Sequence, residues 1–168
     1  MSKFYNAVLE GNKIKDLIRV LLEKSGYLVV PYGYESTLSN IKRKLNVKDA
    51  KNSRTVRRIR SSLDLLVYDD EEKDLMLVEV KMRRARKETR VLIYAKRIAN
   101  IKEFWSDSIL VVVVPSGNVF YAQKVSELEI KETYNAIKDF EKFQNVFIRV
   151  KTEDLSHFKT KALQIMKR

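Results

Sequence analysis

Residues Ile109 to Val114 read ILVVVV, an unbroken apolar run dominated by β-branched side chains. Side chains alternate across a strand, so a strand built this way has no face to turn toward water. The run predicts a central strand covered on both sides. It is far shorter than the roughly 20 apolar residues a membrane-spanning helix needs.

The surrounding pattern supplies the cover. Ile14, Leu17, Ile18, Leu21 and Leu22 recur at helical spacing, and Gly26 closes the pattern. Strands are expected over 27–30, 63–68, 75–80, 119–122 and 146–150. Helices are expected over 91–105, over 126–143 and from about Thr152 onward, with a polar connection over 35–60. The 168 residues suit one domain. The expected fold class is α/β, a mixed central β-sheet flanked by helices.

Several chemistries are excluded by composition. There is no cysteine, so disulfides, thiolate zinc sites and cysteine nucleophiles are absent. His157 is the single histidine, which removes histidine triads and multi-histidine metal sites. The opening MSKFYNAVLEGNK has no apolar signal core, so an intracellular, cytoplasmic protein with no membrane partner is expected.

The formal charge is +12, and it is concentrated. Residues 42–60 carry +8 and residues 81–97 carry +7, which leaves −3 for the rest of the chain. Arginine is prominent in both blocks: Arg54, Arg57, Arg58 and Arg60, then Arg83, Arg84, Arg86 and Arg90. Guanidinium forks match phosphate oxygens, so these eight are the candidate nucleic-acid contacts and DNA the expected partner. The stretch 35–60 is the candidate substrate-wrapping arm.

Between the blocks lie Ser62-Leu63-Asp64-Leu65-Leu66-Val67, the acidic turn 69–74, and Leu77-Val78-Glu79-Val80-Lys81. Folding a hairpin about that turn with Tyr68 opposite Leu75 sets Leu66 against Leu77 and Asp64 against Glu79. Opposed residues share a face with Cβ atoms about 5 Å apart. Two carboxylates and Lys81 would then converge, provided the register does not slip by one. Like charges that close repel, and a divalent cation relieves the conflict. Mg²⁺ takes a pair of carboxylates together with waters and substrate phosphate.

These residues resemble the PD-(D/E)xK nuclease superfamily, whose members include type II restriction endonucleases and archaeal Holliday-junction resolvases. The likeness rests on Asp64 in SLDLLV and Glu79-Val80-Lys81 in LVEVK, framed by the first helix and by ILVVVV. It spans residues 4–122 and leaves 123–168 as a C-terminal extension of one domain, 1–168. It implies a restriction-endonuclease-like core and a Mg²⁺-dependent deoxyribonuclease, with Mn²⁺ able to substitute. Asp64 and Glu79 would be metal ligands, the Val80 carbonyl a third, and Lys81 the catalytic lysine. Leu63 stands where the superfamily often has proline. Many relatives are homodimers, which makes a homodimer the expected assembly. A non-catalytic DNA-binding protein on the same fold is the alternative.

Relatives often add an acid from the first helix, and Glu10 and Asp16 compete for that role. At about 100° per residue the apolar stripe centres near about 10°, Glu10 falls at about 320° and Asp16 at about 200°. Glu10 is therefore favoured as a catalytic residue, if the helix runs unbroken through Gly11 and Asn12.

Overall fold

The computed structural model describes residues 3–33, 54–83, 90–115 and 117–166. The described strands are β1 (Leu28–Pro31), β2 (Leu65–Asp69), β3 (Asp74–Met82), β4 (Arg90–Leu92), β5 (Ile109–Val113), β6 (Phe120–Lys124), β7 (Thr133–Asn135) and β8 (Glu141–Lys142). The helices are α1 (Lys3–Lys24), α2 (Arg54–Arg60), α3 (Ala95–Trp105), α4 (Ala136–Asp139), α5 (Phe143–Val146) and α6 (Thr152–Met166).

Six strands form one mixed sheet in the order β1-β2-β3-β5-β6-β8, and β4 pairs with β7 apart from it. Only the β3–β5 pairing is parallel among these. All five residues of β5 are buried. Ile109, Val111 and Val113 pack into a core with α1 and α6, whereas Leu110, Val112 and Val114 pack into a second core with α3. At about 1.5–3 kcal/mol per buried apolar side chain, this strand ties both layers together. The fold is thus α/β, a mixed sheet between helices.

The β2–β3 hairpin has the expected register, Tyr68 opposite Leu75 and Leu66 opposite Leu77. Its acidic turn is more than a solvated loop. Asp69 Oδ1 accepts the Glu71 and Glu72 N–H groups. Arg149 pairs with Asp69 at 2.9 Å, with Asp70 at 2.8 Å and with Glu71 at 3.3 Å, and its guanidinium lies over the Tyr27 ring. One arginine thereby joins the C-terminal region to the turn that sets the register.

Three expected elements differ. The helix expected over 91–105 begins only at Ala95, because Val91 and Ile93 are buried by pairing and packing of β4 against β7. Arg90 and Tyr94 therefore do not share a helix face. The helix expected over 126–143 is replaced by a short 3-10 turn, β7, α4 and β8. Tyr134, Ala136 and Phe140 face the α3 core whereas Phe143 faces the α1/α6 core, and no single straight helix serves both sides of a sheet. The strand expected over 146–150 is the end of α5 and a turn, with Phe147 and Val150 buried. Most of the polar connection expected over 35–60 lies outside the described residues.

The region beyond residue 122 belongs to the same packing. Phe158, Ala162 and Met166 of α6 share a core with Ile14 and Ile18 of α1, and β8 pairs with β6. Among the described residues, no helix is long and apolar enough to cross a membrane.

Gly26 ends α1 with φ +89°, and a Cβ there would collide with the Arg149 guanidinium. Gly26→Ala should therefore destabilise the fold by at least about 1–2 kcal/mol, the cost of a left-handed backbone for an L-residue. Urea unfolding of the purified variant checks this.

Candidate active site

The site begins at Asp64, the residue just before β2. The Asp64 N–H donates to the Val78 carbonyl at 3.0 Å, and its carbonyl accepts the Tyr32 N–H at 3.0 Å. Its side chain then takes over from the backbone: Oδ2 accepts the Val80 N–H at 2.8 Å. The carboxylate is held by the sheet itself. Its other oxygen, Oδ1, pairs with Lys15 Nζ of α1 at 2.6 Å.

Glu79 lies in the middle of β3, and its side chain has no exposed surface. Its Oε1 pairs with Lys81, two residues along the same strand face, and with the Arg97 guanidinium of α3 at 2.7 Å. Its Oε2 is buried and has no hydrogen-bond partner among the described residues. An unsatisfied buried carboxylate oxygen costs free energy, of order 1–3 kcal/mol or more for a charged group. It is a buried acceptor without a partner among the described residues.

The two acids differ in electrostatics. Burial pushes the Asp64 carboxyl above the usual carboxylate range, the Glu79 charge adds to the shift, and Lys81 and Lys15 oppose it. Burial also pushes Glu79 upward, but the nearby Lys81 and Arg97 charges outweigh it and hold that carboxyl below its ordinary value. Glu79 is thus the settled anion of the pair and Asp64 the strained one. Two carboxylates face three cations, a local balance of +1.

The structure brings Asp64, Glu79, Val80 and Lys81 together. Glu10 is placed elsewhere. The helix does run unbroken through Gly11 and Asn12, yet Glu10 lines a groove between α1 and α6 with Lys13, Lys161 and Gln164. The apolar stripe of α1 serves α6 as well as the sheet, so lying in line with that stripe does not bring a side chain to β3. Five residues separate Glu10 from Lys15, a rotation of about 140° at 3.6 residues per turn. Asp16 is exposed and pairs with Arg19.

Lys15 and Arg97 were not among the expected site residues. Lys15 had a signal: it flanks the apolar stripe beside Leu22, the edge a helix presents to a sheet end. Arg97 was visible only as charge, because its position depends on where α3 begins.

The basic residues divide by role. Arg57 pairs with Glu103 at 2.5 Å and lies over Phe104, and Arg58 lies over Trp105, so both pin α2 to α3. Arg83 donates to the Leu92 and Met82 carbonyls, each at 2.8 Å, and burial lowers its pKa. Arg54 and Arg90 are exposed. Arg84, Arg86, the side chain of Arg60 and most of the expected wrapping arm lie outside the described residues.

The donor set fits a hard divalent cation. It consists of two carboxylates with one open oxygen, and Mg²⁺ is held by one or two carboxylates with waters and phosphate completing the shell. Among the described residues there is no group of three or more Asp, Glu, His or Cys side chains that could form an all-protein cage.

No protein-family model and no curated protein sequence matches this chain. Among solved structures, Hjc, a Holliday junction resolvase from the archaeal hyperthermophile Archaeoglobus fulgidus, superposes with a TM-score of 0.49 at 14% identity. The alignment covers 83% of this chain and 99% of that one.

The raised Asp64 pKa has a consequence for stability. A group whose pKa is higher in the folded state favours folding at pH below its ordinary value of 3.8, and loses that contribution as pH rises through its folded value. Asp64→Asn keeps an acceptor for the Val80 N–H and removes the charge. In EDTA the variant should gain on wild type between pH 4 and pH 7, reaching a melting temperature about 2–4 °C higher for each kcal/mol recovered. A melting series across that range reads the difference.

Proposed function

We propose that this chain is a Mg²⁺-dependent deoxyribonuclease with a restriction-endonuclease-like core. The single observation that carries the reading is Glu79: a fully buried carboxylate with one open oxygen, beside Asp64 at the sheet end and Lys81 on the same strand face. Asp64 and Glu79 would hold the metal, with the Val80 carbonyl as a further ligand and Mn²⁺ as a substitute ion. The metal would supply Lewis-acid stabilisation of charge on the reacting phosphate. Lys81 would place its ammonium beside the scissile phosphate, and Arg97 would fix Glu79 so that its open oxygen faces the site. Arg54 and Arg90, with Arg60, Arg84 and Arg86, would hold the DNA backbone. From α1 the contributing residue would be Lys15 in place of Glu10. A homodimer is the assembly proposed by analogy with the superfamily.

One observation favours the rival reading, a DNA-binding protein without chemistry. The three cations already neutralise both carboxylates, and such a site could hold phosphate without metal. Cleavage assays separate the two readings. The substrates are circular, linear, single-stranded and branched DNA, each with Mg²⁺, Mn²⁺ or EDTA.

Under the nuclease reading, Asp64→Ala and Glu79→Gln each abolish metal-dependent cleavage and retain DNA binding in EDTA. Lys81→Ala lowers turnover at saturating DNA by about a hundredfold or more, the range for a group acting on the reacting atoms. Cleavage that survives in either carboxylate variant would refute the assignment. Arg54→Ala serves as the contrasting case: weaker binding to every sequence, a salt slope reduced by about one unit, and unchanged turnover at saturation.

A further inference from the structure

Asp64 has two carboxylate oxygens, and they are not equivalent. Oδ2 is committed to the Val80 N–H inside the sheet, so Oδ1 is the oxygen that a metal could reach. Lys15 Nζ already sits on Oδ1 at 2.6 Å. We propose that Lys15 is a built-in competitor for the metal at Asp64, excluding the divalent cation until a DNA phosphate draws the lysine away. The proposal rests on the reading of Asp64 and Glu79 as the metal ligands, and it names how that site is regulated.

The charge balance supports it. The site stands at +1 with Lys15, Lys81 and Arg97 in place, and a divalent ion would raise it to +3 around buried groups. Charges a few ångströms apart in a partly desolvated site repel strongly. One cation must leave or anions must arrive. Lys15 is the one able to leave, since its side chain is 36% exposed against 19% for Lys81 and 29% for Arg97. A lysine is also a mobile point charge on a flexible stem, suited to exchanging one anion for another.

A DNA phosphate meets both needs at once. It offers Lys15 a new partner and offsets the charge of the incoming metal. Metal and DNA would therefore bind with positive coupling, and by linkage each raises the affinity of the other by the same factor. The free protein would remain largely metal-free and inert toward water.

The test uses Mn²⁺ as probe, titrated calorimetrically into the protein without DNA. Wild type should bind weakly, and Lys15→Met, which keeps the apolar stem, should bind at least tenfold more tightly. Adding Asp64→Asn to that variant should remove the gain. Lys15→Gln provides a second replacement should the methionine variant fold poorly. In parallel, fluorescence anisotropy with a short duplex compares DNA affinity in EDTA and in Ca²⁺. The Ca²⁺-dependent gain should be large in wild type and smaller in Lys15→Met. Equal Mn²⁺ affinity in wild type and both Lys15 variants, with binding still lost in Asp64→Asn, would overturn the competitor role while leaving the metal site intact. Mn²⁺ binding that ignores Asp64 altogether would overturn the site reading as well.

Discussion

Placing a carboxylate with no exposed surface in the middle of a sheet strand is costly unless charge and hydrogen bonds compensate it. Glu79 occupies such a position, and much of the neighbouring architecture answers to it. Lys81 approaches along β3 and Arg97 from the first turn of α3. Arg97 reaches that oxygen because α3 is pressed onto the sheet by Ile98 and Ile101, which pack with Leu110 and Val112 of β5. β5 in turn is held against β3 by the parallel pairing that sets Glu79 beside Leu110. The apolar core and the ionic cluster are thus one construction: the core positions the arginine, and Lys81 and the arginine together keep Glu79 ionised.

Compensation is incomplete, and the proposed function rests on that incompleteness. Among the described residues Glu79 retains an oxygen without a partner, and Asp64 carries a pKa raised by burial and by its neighbour's charge. A purely structural ion-pair network gains nothing from either feature, whereas under the proposed function a cation and a phosphate would relieve both. The tension is local, because Asp64 is fixed by three hydrogen bonds to the sheet and to Tyr32. A backbone held this rigidly would supply the preorganisation that the proposed function requires.

Much of this was legible in the sequence. The hairpin register followed from folding 63–68 and 75–80 symmetrically about the acidic turn with Tyr68 opposite Leu75, and that register puts Asp64 near Glu79. The two-sided cover of β5 followed from its unbroken apolar run. What was not legible depended on contacts distant in sequence. Val91 and Ile93 fit a helix and a strand equally well until β7 is known to lie beside them. The residues from 126 to 143 divide between two cores, a choice no local period encodes. Glu10 was misplaced because a helix wheel reports which face is buried and leaves open what buries it. On the same wheel Lys15 falls at the edge of the stripe, but a charged residue there reads as solvated surface until Asp64 is found opposite it.

The proposed activity depends on Asp64 and Glu79 sharing a divalent cation, and anomalous diffraction from crystals grown with Mn²⁺ and a DNA duplex tests that most directly. The predicted result is one strong anomalous peak bonded to Asp64 Oδ1 and Glu79 Oε2, with Lys15 moved from Asp64 onto a phosphate. A DNA-bound structure with no anomalous density at these oxygens, and Lys15 still paired with Asp64, would contradict it.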